Sequence, residues 1–274
     1  MGIIETYKAL ADESRLRLVH CLSQGMFNVQ ELTSVLGLGQ STVSHHLKIL
    51  HQAGIATSRR EGTHIYYTLS HQDSEKAPAA IINNFLDIST SNLNGLEPAF
   101  SSDREKLSQI LNKRREEAHS FFEKVAAEWK SLREKQERRS YLQELINEIK
   151  PDETLLELGC GSGALLEKIL PRTGETIGVD YSQAMLNECA ENLREHRDSV
   201  DLRLGYLEHL PLADASADTA VAYMVMHHLP EPLRAFMDAF RVLRAGGRLI
   251  IVDLMEHHDE TMRERYADIW LGFN

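Results

Sequence analysis

Apolar residues recur at helical spacing through the first fifty positions. Leu10, Leu16, Leu18, Val19 and Leu22, closed by Gly25, predict one or two short helices. Val29, Leu32, Val35 and Leu36 predict another, stopped by Gly37 and Gly39, and Val43, Leu47 and Leu50 set one apolar stripe on a further helix from about Ser41. The order is helix, tight glycine turn, helix. After Gly54, the β-like runs Ile55–Arg60 and His64–Leu69, separated by Glu61-Gly62-Thr63, predict a two-stranded hairpin with Arg59 and Arg60 at its tip. Residues 71–139 mix both charge signs with periodic apolar positions. Punctuated by Pro78 and Pro98, they predict a helix from about 78 to 90, a loop with Asn92, Asn94 and Gly95, and a long charged helix from about 102 to 136, either a lever joining two domains or a lid over a ligand. From Thr154 the pattern changes to strands alternating with helices: Thr154–Leu158, Thr176–Asp180, Val200–Leu204, Thr219–Tyr223 and Arg248–Asp253. Such alternation predicts a parallel sheet covered by helices on both faces.

The expected fold class is therefore mixed α/β in three parts: a mainly helical unit with a β wing over 1–75, a helical connector and dimer contact over 76–140, and a Rossmann-like sheet over 141–274. A chain of 274 residues leaves room for two domains, and 42% apolar with 26% charged residues is ordinary for a globular protein. The longest apolar stretch, Ala220–Met226, is far short of the roughly 18 residues that cross a bilayer. With no charged-then-apolar leader, neither membrane insertion nor secretion is expected. Met1–Thr6 fits the loose myristoylation pattern, but without a basic patch beside it the match reads as coincidence. Cys21, Cys160 and Cys189 are too scattered for a disulfide framework or a cysteine-rich metal site, which suggests the cytoplasm.

Charge changes the picture more. The net value is −11, yet residues 1–70 carry six Lys and Arg against five Asp and Glu, residues 71–139 carry twelve against twelve, and residues 140–274 carry twelve against twenty-four. The acidity belongs to the last half, so the first unit can still meet DNA through one face. It holds His20, His45, His46, His51 and His64, all possible donors to phosphate or base edges. On the helix after Gly39, the side opposite the apolar stripe shows Thr42, Ser44, His45 and Lys48. Gln40, Ser41 and His46 complete a candidate DNA-reading set, with Arg59 and Arg60 on the wing. His45 and His46 are neighbours that cannot share a helix face, so a metal site there is not expected.

In the acidic half, the first strand ends in Glu157-Leu158-Gly159-Cys160-Gly161-Ser162-Gly163 and runs into the helical Ala164–Leu170. Glycines there let the chain turn sharply and let a ligand lie against the main chain at a helix start. Asp180, at the end of the second strand, stands where a carboxylate can accept from both hydroxyls of a ribose. Gly159-x-Gly161-x-x-Ala164 alone would also pass as a nicotinamide-binding fingerprint, which keeps a nicotinamide-linked redox sensor among the alternatives.

The segments "YKALADESRLRLVHCL" and "LTSVLGLGQSTVSHHLKILHQAGIATSRREGTHIYYTL" resemble ArsR-type winged helix-turn-helix repressors over residues 5–70. That resemblance implies a homodimer reading an inverted repeat in double-stranded operator DNA. The stretch Met26–Glu31 lacks the paired cysteines of metal-sensing members, so thiolate sensing is not expected, and Cys21 is expected in the core. The segments "LLELGCGSGALLEKIL", "TIGVDYSQAMLNECAENL", "RLGYLEHLPLADASADTAVAYMVMHHLPE" and "AFRVLRAGGRLIIVDL" resemble class I S-adenosylmethionine-dependent methyltransferases over 150–272. By that resemblance Glu157, Gly159, Cys160, Gly161 and Gly163 lie along the methionine and ribose, Asp180 with Tyr181 holds the ribose, and Met185 packs near it. Tyr206, Leu207 and Glu208 lie by the adenine, and Tyr223 begins the acceptor side. Tyr206 stands where the family often has an acidic residue. The sequence also stops after the fifth strand and one helix, before the family's closing hairpin, which implies a shortened chain or an open pocket.

His227 and His228, after the fourth strand, are weak candidates for a catalytic base. No Asp-Pro-Pro-Tyr signature and no thiol cluster points to an acceptor. The reading expected from sequence is a dimeric regulator whose methyltransferase-like half senses S-adenosylhomocysteine or S-adenosylmethionine, with no metal and no membrane. The alternative is an active small-molecule methyltransferase with a fused DNA-binding unit.

Overall fold

A computed structural model describes residues 3–61, 64–70, 81–86, 97–134, 139–170 and 174–273. Gly62-Thr63, the ends of the helix expected at 78–90 and the loop at Asn92–Gly95 fall outside them. The chain forms two compact units, residues 1–113 and 114–274. Among the described residues no helix is long and apolar enough to cross a membrane.

The first unit contains α1 (Ile3–Leu10), α2 (Glu13–Ser23), β1 (Phe27–Asn28), α3 (Val29–Leu36), α4 (Gln40–Gln52), β2 (Ala56–Glu61) and β3 (His64–Leu69). A helical stretch at 81–86 and the opening turns of α5 (Glu97–Glu134) complete it. Local chemistry sets the boundaries. Asp12 accepts the Arg15 N–H to start α2, Asn28 and Glu31 form a reciprocal capping box on α3, and Gly37 ends α3 in the left-handed region at φ 68°. The predicted stripe is the core: Leu18, Leu22, Leu32, Leu47, Leu50 and Ile55 are buried, each worth about 1.5–3 kcal/mol relative to exposure.

The wing differs from the expected two-stranded hairpin. Phe27 and Asn28 pair with Tyr67 and Tyr66, giving a three-stranded sheet in the order β1-β3-β2. Two residues carry no periodicity, so the third strand left no pattern to read. The long helix also starts at Glu97 rather than 102. Pro98 lies in its first turn, where a missing N–H costs nothing, and so marks the helix start instead of a break.

Toward its start, α5 is fixed to the first unit. Arg17 makes a two-pronged ion pair with the fully buried Asp103, Nε and Nη2 each 2.7 Å from a carboxylate oxygen. Arg17 also donates to the Leu36 carbonyl and Lys106 donates to that of Val35, at 3.2 and 2.9 Å. Two cations thus satisfy the last carbonyls of α3.

The second unit begins within α5 and adds α6 (Arg139–Glu148), β4 (Leu155–Leu158), α7 (Leu166–Ile169), β5 (Thr176–Asp180), α8 (Gln183–Asn192) and β6 (Val200–Leu204). It ends with β7 (Ala217–Tyr223), a 3-10 turn at Met226–His228, α9 (Pro232–Val242), β8 (Leu243–Val252) and α10 (Thr261–Tyr266). The five strands are parallel, in the order β6-β5-β4-β7-β8. Every residue of β4 and β5 is buried, as central strands covered on both faces require. Strand order reverses between β4 and β7, and a crevice beyond the carboxyl ends of strands at such a switch point is the general ligand position of doubly wound sheets.

Candidate functional site

In the first unit, α4 presents Gln40, Ser41, Thr42, Ser44, His45 and Lys48 on its exposed side, opposite buried Val43, Leu47 and Leu50. Gly39 supplies no side-chain cap, which leaves the opening N–H groups of α4 suited to a phosphate oxygen. His46 is turned partly inward, its Nδ1 3.9 Å from the Asp12 carboxylate. His20, counted above among the possible phosphate donors, is 2% exposed and packs edge-on against Phe100 at 5.1 Å; it cannot reach DNA. Arg59 and Arg60 lie inside β2, opposite Tyr66 and Ile65, rather than at the tip. Successive strand residues face opposite sides, and Arg60 is the exposed one while Arg59 is half-buried. Cys21 lies in the core, where burial pushes its thiol up.

In the second unit, a cleft opens at the switch point, lined along one side by Glu157, Gly159, Cys160, Gly161 and Ser162 after β4. Asp180, Tyr181, Met185 and Leu207 line another side, and Tyr223, Met224, Val225 and His228 the side after β7. Gly159 is required by space as well as by its φ of 69°: a Cβ there would stand 2.3 Å from Val225 Cγ2. Asp180 is held from two directions, one oxygen accepting from Gly161 N–H and the other from Ser182 N–H, each at 2.9 Å. Burial pushes its carboxyl up to about 6 against the pull of these N–H groups. The Tyr181 hydroxyl is buried with no hydrogen-bond partner among the described residues, a demand that a ligand group would meet. A hydrogen bond with Cys189 that favours the neutral thiol, together with burial, holds Cys160 well above its usual range.

The structure brings Gly159, Cys160, Gly161, Asp180, Tyr181, Met185, Leu207, Tyr223 and His228 of the expected set together with Glu157 around one cleft. Gly163, Tyr206, Glu208 and His227 are not among its lining residues. Gly163 instead admits Cys189, whose Sγ would lie 2.7 Å from a Cβ there. Tyr206 stacks on the outer side of Tyr181 at 6.0 Å and 26°, under Arg115 at 5.7 Å, while Arg115 also reaches Glu208 at 3.4 Å and Glu231 at 3.5 Å.

Of the two roles open to the long helix from sequence, a lever between domains or a lid over a ligand, α5 contributes a wall to this cleft, although no individual residue of it was singled out for that role. Ala118, Phe122, Ala126 and Trp129 form one buried stripe against Met185, and Phe122 and Trp129 line the cleft. Glu123, on the same helix, accepts from Ser182 Oγ at 2.7 Å, and that hydrogen bond, with those from backbone N–H groups, holds its carboxyl below its usual range. The four-residue spacing of 118, 122 and 126 was the available signal.

His227 and His228 are both buried, with ring centroids 4.0 Å apart. His228 packs edge-on against Phe122 at the cleft. His227 Nδ1 lies 2.5 Å from Asp253 Oδ1, and Asp268 Oδ1 lies 3.7 Å from both His227 Nε2 and His228 Nδ1.

Comparison with known proteins places both units. The family model described as bacterial regulatory protein, arsR family, matches residues 12–58, and the one described as methyltransferase domain matches 156–251. The arsenite methyltransferase of Halobacterium salinarum is 38% identical over 110 residues, covering 39% of this chain and 28% of that protein. The demethylmenaquinone methyltransferase of Desulfitobacterium hafniense is 30% identical over 132 residues, covering 46% and 51%. The chain therefore spans about half or less of these relatives. Among solved structures, the YcgJ protein of Bacillus subtilis aligns with a TM-score of 0.42 and 27% identity, covering 46% of this chain and 56% of that one.

Proposed function

We propose, on the premise that this chain joins an ArsR-type winged helix-turn-helix unit to a methyltransferase domain, that it is a dimeric transcriptional regulator responding to S-adenosylhomocysteine or S-adenosylmethionine. The observation that carries the proposal is the double duty of α5. Asp103 and Lys106 of this helix fix it to α2 and to the end of α3 in the DNA-binding unit, and Phe122 and Trp129 of the same helix wall the cleft. A ligand that moves that wall acts on the element that also braces the helix-turn-helix. Whatever free energy separates ligand affinity in the DNA-bound and free states must appear, with the same factor, in operator affinity.

We read this cleft as the place of an adenosyl sulfur compound. Asp180 would receive the two ribose hydroxyls, the backbone at Gly159–Gly161 would lie along the ribose and methionine portions, and Tyr181 and Leu207 would border the base. When bound, S-adenosylmethionine supplies an electrophilic methyl group. A second reading, an active small-molecule methyltransferase, is favoured by the names of the relatives and by His228 at the cleft wall. An exposed α4 face with Lys48, joined by Arg60 on the wing, would meet an inverted repeat as one of two copies.

The test is operator binding followed by fluorescence anisotropy, using promoter DNA from the chain's own operon, with S-adenosylhomocysteine, S-adenosylmethionine and NAD added separately. An adenosyl compound should change operator affinity at least fivefold, and operator should change that compound's affinity by the same factor. Adenosyl binding without any change in operator affinity would remove the regulatory reading and leave the enzyme. Binding of NAD alone would remove both.

A further inference from the structure

We propose that His227, His228 and Asp268 form a site for a divalent transition-metal ion such as Zn²⁺ at the edge of the cleft. Each offers a ligand atom, all three residues are buried, and those atoms lie within 4.8 Å of one another. The two measured separations, His227 Nε2 to Asp268 Oδ1 and His228 Nδ1 to Asp268 Oδ1, are both 3.7 Å. That is long for a hydrogen bond. Two ligands on one tetrahedral ion, each about 2.1 Å from the metal, stand roughly 3.4 Å apart, so the two separations to Asp268 need close by only a few tenths of an ångström, while the ring nitrogens of His227 and His228 lie within 4.8 Å of each other.

The surroundings fix the ligands as a metal site needs. Asp253 accepts from His227 Nδ1, and its position is set by N–H bonds from Met226 and Leu254 at 2.8 and 2.7 Å. With the proton on Nδ1, the lone pair of His227 is on Nε2, the atom nearest Asp268. A carboxylate behind a ligating imidazole is the usual outer support of a metal-bound histidine. The two ligand segments are locked to each other: Ile269 and Trp270 N–H groups both donate to the His227 carbonyl, at 2.9 and 3.0 Å, and Trp270 Nε1 donates to that of Leu229 at 2.7 Å. Two imidazole nitrogens and one carboxylate oxygen suit zinc or another transition metal over magnesium or calcium. Because His228 also lines the cleft, the ion would border the ligand space.

The competing account is that a proton on His227 holds the two carboxylates. The full chain, stripped with chelator, separates the two accounts when titrated with ZnCl₂ by calorimetry and with CoCl₂ by visible absorption. The expected result is one saturable ion per chain, with a Co²⁺ spectrum of four-coordinate intensity. Asp268→Asn should weaken Zn²⁺ at least a hundredfold, and Asp253→Asn, which removes the outer support, tenfold to a hundredfold. His45→Gln with His46→Gln, on the exposed α4, should leave the stoichiometry unchanged. Absence of saturable Zn²⁺ binding by the wild-type chain overturns the proposal whatever the variants do. So does a folded Asp268→Asn chain that binds as tightly as wild type. Should Asp268→Asn fail to fold, the decision passes to Asp253→Asn and to the wild-type Co²⁺ spectrum, where an octahedral, weakly absorbing spectrum counts against the site.

Discussion

Lowering the pH is the sharpest perturbation of the cleft, because one titrating group ties the loop backbone to the proposed ribose position. Asp180 is buried, and its carboxyl is pushed up to about 6, although Gly161 and Ser182 N–H groups at 2.9 Å favour the charged form. A carboxyl whose folded value lies above its unfolded value of about 3.9 contributes stability that is complete below pH 4 and is lost as the pH rises through 6. The difference of about two units bounds that loss at roughly 3 kcal/mol. Binding runs the other way. Ribose hydroxyls donate to the carboxylate, favour its charged form and draw its value down, so binding below pH 6 must release a proton. If the bound value returns to about 4, affinity falls about tenfold from pH 7.5 to pH 5. Calorimetry with S-adenosylhomocysteine at both pH values, in two buffers of different ionisation enthalpy, reads the affinity and the proton together. In Asp180→Asn the pH dependence should vanish. The amide also turns an NH₂ toward one of the two backbone donors, which costs about 1–3 kcal/mol of loop stability. Equal affinity at pH 5 and 7.5 for folded wild-type protein refutes the reasoning, since the ligand then leaves the carboxylate untouched.

Other outcomes follow from the same contacts. Trp129→Ala, which empties part of the α5 wall, should destabilise the second unit by about 3–5 kcal/mol and abolish the ligand effect on operator affinity, while operator binding without ligand persists in anisotropy titrations. Asp103→Ala leaves the Arg17 guanidinium largely buried without its carboxylate and should cost about 3 kcal/mol or more in urea denaturation; Lys106→Ala should cost under 1.5 kcal/mol. Gly159→Ala meets Val225 at 2.3 Å and should lose ligand binding with roughly 1–3 kcal/mol of stability, measured by thermal unfolding and calorimetry. Lys48→Ala should lower the salt slope of operator binding by about one, whereas His20→Gln should leave that slope unchanged.

Much of this arrangement could be read along the chain, for a physical reason. Strands such as Thr176–Asp180 and Val200–Leu204, the helix beginning beside Gly39, and the stripe of Val43, Leu47 and Leu50 are local consequences of burial period and turn chemistry. Gly159, Gly161 and Asp180 were legible because a strand-loop-strand unit fixes their separation in the sequence as well as in space. What escaped depends on contacts between distant segments. Phe122 and Trp129 belong to a helix whose apolar stripe suits a lever as well as a lid, and nothing within residues 114–134 decides whether the surface it covers is a ligand cleft or solid core. The pair His227 and His228 reads along the chain only as two weak candidates for a catalytic base, for a related reason. On a 3-10 turn at the end of β7 their rings come within 4.0 Å, and the third group, Asp268, lies forty residues on, brought back by main-chain bonds to the His227 carbonyl. A position that needs long-range closure leaves no periodic trace. The α5 wall and the histidine cluster, on which the ligand response and metal binding proposed here depend, are therefore the parts of the second unit where mutagenesis will be most informative.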